Sequence, residues 1–150
     1  MPIAYLPPED HVVRYVPWSR LRKDENDNVL GVLGAAFKLR DGEDYLSATW
    51  AECCGGSDHQ ARIEAAVRTV RASNLKVTTR SGFAVGNVGR VKEVCLADKE
   101  KHKVRVIHEP EPDNKAHTAL RGWPRNNDPL LELIAEDSWS EVVLNQNVPP

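Results

Sequence analysis

The chain has 150 residues, 41% hydrophobic and 28% charged, with 20 lysines and arginines against 22 aspartates and glutamates for a formal net charge of -2. That composition excludes a chain disordered along its whole length, and the balanced charge excludes an overall electrostatic pull toward nucleic acid or anionic lipid. No run approaches the roughly eighteen apolar residues of a membrane span, and the start, MPIAYLPPEDH, has neither the basic region nor the apolar stretch of a secretory signal, so the expected compartment is the cytoplasm.

In chain order, HVVRYV reads as a strand, rich in β-branched and aromatic residues and ended by Pro17. Arg14 interrupts it, and a buried guanidinium must be paired or face a ligand; with His11 it could hold a phosphate or carboxylate, or it could be an edge-strand arginine reaching solvent. KDENDN is a turn-forming cluster, and VLGVLGAAFKLR stays unassigned because two glycines weaken a helix while Ala35, Ala36 and Phe37 do not insist on a strand. Tyr45 to Trp50 is strand-like, placing Leu46, Ala48 and Trp50 on one side and Ser47 and Thr49 on the other. Ser57 and Gln60 form a capping box ahead of an amphipathic helix whose buried stripe is Ile63, Ala66, Val67 and Val70. Glu64, Arg68 and Arg71 lie on its solvated face, with Glu64 and Arg68 as a favourable i, i+4 pair. Phe83 to Val85 is a short apolar strand between Gly82 and Gly86. Val88, Val91, Val94 and Cys95 then repeat at helical spacing, and Val104 and Val106 alternate with Lys103 and Arg105 as a further strand. Asp113 or Asn114 could cap a short helix carrying His117 and ending near Gly122. Asp128 suits an N-cap and Pro129 the first helical position, with Leu131, Ile134, Ala135 and Val142 as the stripe of a closing helix.

These elements imply an α+β or α/β fold: one mixed sheet of about four to five strands with helices packed on it, and one βαβ unit over residues 83–108. The expected globular domain is 1–144, with 145–150 a frayed tail. In a βαβ unit the loops GNVG and HEPEP leave the same sheet edge, where open α/β sheets bind ligands. Gly86, Asn87 and Gly89 would then offer helix N-terminal amides to an anion, with Glu109 beside them, while His108 and His117 converge on one pocket. The competing reading makes His108 a core-edge residue bonded to backbone, His117 a residue packed under its loop, and the glycines a matter of turn geometry.

Other chemistries lack their motifs. There is no G-x-S-x-G, H-E-x-x-H, EF-hand loop, C-x-x-C or Walker A sequence, and Cys53, Cys54 and Cys95 have no framework spacing, so free thiols, no metal and no cofactor are expected. Arg62, Arg68 and Arg71 lack interleaved aromatics, which makes nucleic acid an unpromising partner.

The segments HVVRYVPWSRL, AAFKLRDGEDYLSATW and NKAH resemble a pattern of small bacterial proteins without an established activity: an Arg-Pro strand, an AF-x-L-R segment with a Leu-Ser pair, and an Asn-x-x-His. The resemblance implies a small bacterial cytosolic protein, an accessory component of a conflict or defence locus, and marks Arg14, Ser47 and His117 for inspection together. Two functions follow as expectations. The first is a soluble module that binds a protein partner through the loop residue Trp123, whose competing role is a cap over the core. The alternative is a small enzyme acting on a phosphate-bearing or nucleotide-like substrate, with Arg14 and the GNVG amides holding the anion and His108 or His117 moving a proton.

Overall fold

In the computed structural model, which describes residues 2–150, the apolar stretch HVVRYVP forms β1 (His11–Pro17). β2 (Leu21–Lys23) and β3 (Val29–Val32) make a separate hairpin across the KDENDN turn, where Asp24 accepts the amides of Asn26 and Asn28. The unassigned stretch resolves into β3 and a 3-10 turn at Gly34–Phe37. There follow β4 (Tyr45–Trp50), α1 (His59–Arg71), β5 (Ser81–Asn87), α2 (Val88–Ala97), β6 (Arg105–His108), β7 (His117–Arg121), α3 (Asp128–Ser138) and β8 (Glu141–Leu144). Asp58 rather than Ser57 caps α1, its Oδ1 accepting the Ala61 amide at 2.8 Å, and Asn127 rather than Asp128 caps α3. His117 sits in a strand, not on a short helix, and Val142 belongs to β8.

The main sheet has six strands, not four to five, in the order β6-β7-β4-β1-β5-β8, and each pairing is antiparallel. The expected βαβ unit is therefore corrected. β5 and β6, joined through α2, do point the same way, but β1, β4 and β7 lie between them. Four strand spacings separate their exits by about 19 Å, at roughly 4.8 Å per strand. The sequence pattern misled because β5 is buried on both faces and reads as the continuous apolar run of a parallel strand.

Each face of the sheet has its own core. On one, Val12, Val16, Leu46, Ala84 and Leu120 pack under α2, α3, Phe37, Trp123 and Trp139. On the other, Val13, Phe83 and Val85 receive the α1 stripe of Ile63, Ala66, Val67 and Val70. The β6 edge is covered by the N-terminal segment, where Tyr5 bridges Ile107 and the Leu6 amide bonds the Val106 carbonyl, which blunts an otherwise open edge. Residues 145–149, expected to fray, are held: Arg71 donates to the carbonyls of Asn145, Val148 and Pro149, and Val148 is buried.

Gly86 supplies close packing rather than loop flexibility. A Cβ there would lie 2.8 Å from Cδ2 of the Trp139 ring. Gly86→Ala is expected to lower stability by about 2 kcal/mol, the scale of overpacking in a filled core, read as a drop in the urea midpoint. Adding Trp139→Phe, which replaces the bicyclic indole with a smaller ring, should recover part of it; an unchanged midpoint in the single variant would show that the ring moves aside freely.

Candidate functional site

β1 and β4 pair only at Val12–Trp50 and Val13–Thr49, although β1 continues along β5 to Pro17 and β4 continues along β7 to Tyr45. The sheet thus splits at Arg14. The Ser47 carbonyl, which faces the gap, receives Arg14 Nη1 at 2.7 Å in place of a ladder amide, and Arg14 Nε donates to the Ala36 carbonyl at 3.0 Å. A cleft of about 750 Å³ opens over this split. α1 covers the β1 and β5 part of that face, and the polar alternation of YLSATW places Ser47 and Thr49 on the open part. The end of α1 near Val70 and Ser73, the turn around Asn114 and the segment of Lys38 to Glu43 form the walls.

The Arg14 side chain lies deep among protein atoms but keeps an edge on the cleft. Burial pushes its pKa down to about 10, with Glu43 raising it and Arg40 lowering it at longer range. It remains a cation at neutral pH. Among the described residues no carboxylate pairs with it, and Nη2 meets no acceptor. Nη2 is not among the buried unpartnered atoms, so this free donor opens on the cleft, where it is available to an anion.

His117 is also buried in the cleft wall. Its Nδ1–H donates to the Glu109 carbonyl at 2.8 Å, so the neutral ring presents its lone pair at Nε2, which accepts the Ser47 hydroxyl at 3.3 Å. The pair is a diagonal neighbour set across antiparallel strands, since His117 stands opposite Thr49. Tyr45 meets the imidazole edge-on at 5.9 Å, Arg121 stacks 4.5 Å from the Tyr45 ring, and Arg121 holds the Glu109 carboxylate through bonds of 2.7 and 2.8 Å. On the other side Asn114 donates to Thr49 Oγ1 and accepts the Ala116 amide, which fixes the turn. Glu111 Oε1 stands 3.7 Å from Nε2.

The Arg121 hydrogen bond holds the Glu109 carboxyl below the usual carboxylate range, against a smaller opposing effect of burial. A folded pKa below the unfolded one stabilises the fold above the unfolded value, and the contribution is lost as pH falls through the folded value. Both side chains are about one-third exposed, so the pair contributes less than about 1 kcal/mol. Arg121→Gln should show that deficit in urea unfolding at about pH 6 and lose it toward about pH 2; a deficit constant with pH would mean the ion pair is not its source.

Of the residues singled out from sequence, Arg14, Ser47 and His117 line one cleft, although Arg14 leaves β1 on the face of Val12, Val16 and Ala84 and reaches only the Ser47 carbonyl through the split, whereas the Ser47 and His117 side chains meet on the other face. The others do not. His108 lies on the opposite sheet face from His117, its Nε2–H donating to the Lys115 carbonyl and its ring edge-on to Trp50. His11 pairs with Glu52 and abuts His59. The Glu109 carboxylate is taken by Arg121, so that residue positions His117 through its carbonyl rather than binding a ligand. The GNVG amides are also engaged: Val88 N bonds the Asp10 carbonyl, Gly89 N the Pro8 carbonyl and Arg90 N the Asn87 side chain, which caps α2. They offer no seat to an anion. Trp123 is buried, its Nε1–H donating to the Phe37 carbonyl at 2.7 Å, so it is core and not an exposed anchor. Arg68 pairs with Glu64, and Arg71 fastens the chain end.

Thr49, Asn114 and Glu111 were not singled out from sequence as site residues. The alternation of YLSATW signals Thr49, whereas only the fold brings the 111–114 turn over β4. Elsewhere, Asp98, Glu100 and His102 bring ligand atoms within 4.8 Å of one another after α2, although Asp98 also closes that turn by accepting the Glu100 amide. The three cysteines are free thiols, and burial pushes Cys95 up to about 12 and raises Cys54, which keeps both protonated at neutral pH. Among the described residues no helix is long and apolar enough to cross a membrane. No family model, no curated protein and no solved structure matches the chain.

Proposed function

We propose that this chain binds a small ligand bearing a phosphate or carboxylate group, seated in the cleft between β1 and β4. The observation that carries the reading is the Arg14 guanidinium, sunk into the split of the sheet with no carboxylate partner among the described residues and one edge on the cleft. An anion there would receive charge-assisted hydrogen bonds in a poorly solvated place, where they are strongest. The walls also carry Lys38 and Arg40, which would attract the anion, and Glu43, Glu111 and Asp113, which would reject ligands of high overall negative charge. A compact ligand with one anionic group and a neutral polar remainder fits this balance better than nucleic acid does. Aromatic platforms for stacked bases are absent from the cleft's lining residues apart from Tyr15.

Titrating inorganic phosphate into the isotope-labelled protein tests the reading. Amide shifts should move at Ser47, Thr49 and the 111–114 turn, with a dissociation constant of about 1 mM or tighter, equivalent to roughly 4 kcal/mol of binding. Shifts confined to the start of α2, or none, would overturn it.

A further inference from the structure

We propose that Ser47 is a nucleophile activated by His117, and that the cleft hydrolyses esters carrying a separate anionic group. The proposal rests on the anion seat at Arg14 and goes beyond it by assigning chemistry to its neighbours. A serine hydroxyl becomes a nucleophile when a base accepts its proton and a third group holds the base in the right tautomer. All three parts are present. The Glu109 carbonyl takes Nδ1–H at 2.8 Å, leaving Nε2 as acceptor, and the Ser47 hydroxyl approaches it at 3.3 Å, the looser end of such pairs without substrate. The imidazole is met edge-on by Tyr45, and Glu111 Oε1 stands 3.7 Å from Nε2. Ser47 lines the cleft, so the hydroxyl is reachable from solvent.

The bond between Arg14 Nη1 and the Ser47 carbonyl places the cation next to the nucleophile's own backbone. Because the Ser47 hydroxyl lies on the other sheet face from the stem of Arg14, the substrate that fits is one whose carboxylate or phosphate enters the split to meet the guanidinium while its ester carbonyl lies over Ser47. Ser47 Oγ attacks the acyl carbon and its proton passes to His117 Nε2. The ester C–O bond breaks, and the leaving alkoxide takes that proton. Water then attacks the acyl-serine, giving its proton to His117; the Ser47 Oγ–C bond breaks, the proton returns to Ser47 and the acid departs.

The full chain is treated with an alkyl fluorophosphonate, which loses fluoride when a serine oxygen attacks phosphorus, and is assayed separately with the p-nitrophenyl monoester of succinic acid and with p-nitrophenyl acetate. Peptide mapping should place the label on Ser47, and Ser47→Ala should abolish labelling and ester turnover. His117→Gln should slow both by at least about 100-fold, as loss of a general base does. Ser47→Ala, which removes a single oxygen, keeps the test independent of any folding defect at His117. The wild type should prefer the succinate ester to the acetate, and Arg14→Met should remove the preference. Absence of both labelling and turnover, or rates in Ser47→Ala equal to wild type, would overturn the proposal. If phosphate still shifts the cleft amides in that case, the anion seat stands and only the nucleophile falls. Labelling of Ser47 in a chain indifferent to phosphate would support the nucleophile and overturn the seat.

Discussion

Arg14→Met is expected to weaken phosphate binding by at least about 30-fold, because truncating one partner of a buried, hydrogen-bonded charge pair costs about 2 kcal/mol or more. Stability should change far less. Holding the charged guanidinium at a pKa of about 10 rather than 12.5 amounts to about 3 kcal/mol of unfavourable burial at roughly 1.36 kcal/mol per pKa unit. Methionine relieves that burden and fills the same gap with an unbranched apolar chain. It also gives up the bonds to the Ala36 and Ser47 carbonyls, each worth about 1.5 kcal/mol or more for a charged donor. The two effects nearly cancel, so the thermal midpoint without phosphate should stay within about 4 °C of wild type. With phosphate, the wild type should melt at a higher temperature, as binding to the folded state alone requires, and the variant should not. A variant that keeps the phosphate-dependent rise would place the anion elsewhere. Arg14→Lys supplies a check on charge without the fork: it should recover part of the affinity, since one ammonium cannot reach both carbonyls and a ligand.

Arg14 was legible in the sequence as a charge among apolar strand residues, and Ser47 as the polar side of YLSATW. Their adjacency was not. It depends on β1 pairing with β4 across some thirty residues and then parting, and nothing local in either strand encodes a neighbour. The same limit undid the βαβ reading. The run from Gly82 to Val106 fixes strand, helix and strand, while the insertion of β1, β4 and β7 between the two strands comes from segments remote in sequence.

The histidines turned on a single step of register. His108 stands opposite Thr118, so His117, one residue away, must face the other side of the sheet. Sequence spacing across HEPEPDNKAH could not settle that step, because the length of the turn sets it. The sequence offers Asp113 or Asn114 as a helix cap; backbone bonds between Glu111 and Asn114 close a turn there instead, and the Asn114 side chain accepts the Ala116 amide just beyond it, the same kind of bond in another setting.

Trp123→Ala is expected to destabilise the fold by about 3–5 kcal/mol, the range for emptying a large aromatic site. The side chain is only 4% exposed, packs on Phe37, whose ring in turn meets Trp139, and satisfies the Phe37 carbonyl through its Nε1–H. Truncation therefore leaves both a cavity and an unpaired buried acceptor. At about 2–4 °C per kcal/mol for a chain of this size, the thermal midpoint should fall by about 10 °C. A protein-docking role would predict the reverse, an unchanged midpoint, and that result would return Trp123 to the surface. Trp123→Phe separates the two contributions: it keeps most of the ring volume and removes the donor, so its deficit should be near 1–2 kcal/mol. The consequence reaches the cleft, because Phe37 and Ala36 share one 3-10 turn and the Ala36 carbonyl holds Arg14 Nε. If Trp123 pins that turn, the phenylalanine variant should bind phosphate more weakly than wild type while keeping its fold, and unaltered affinity would show that Arg14 is positioned by the Ser47 carbonyl alone.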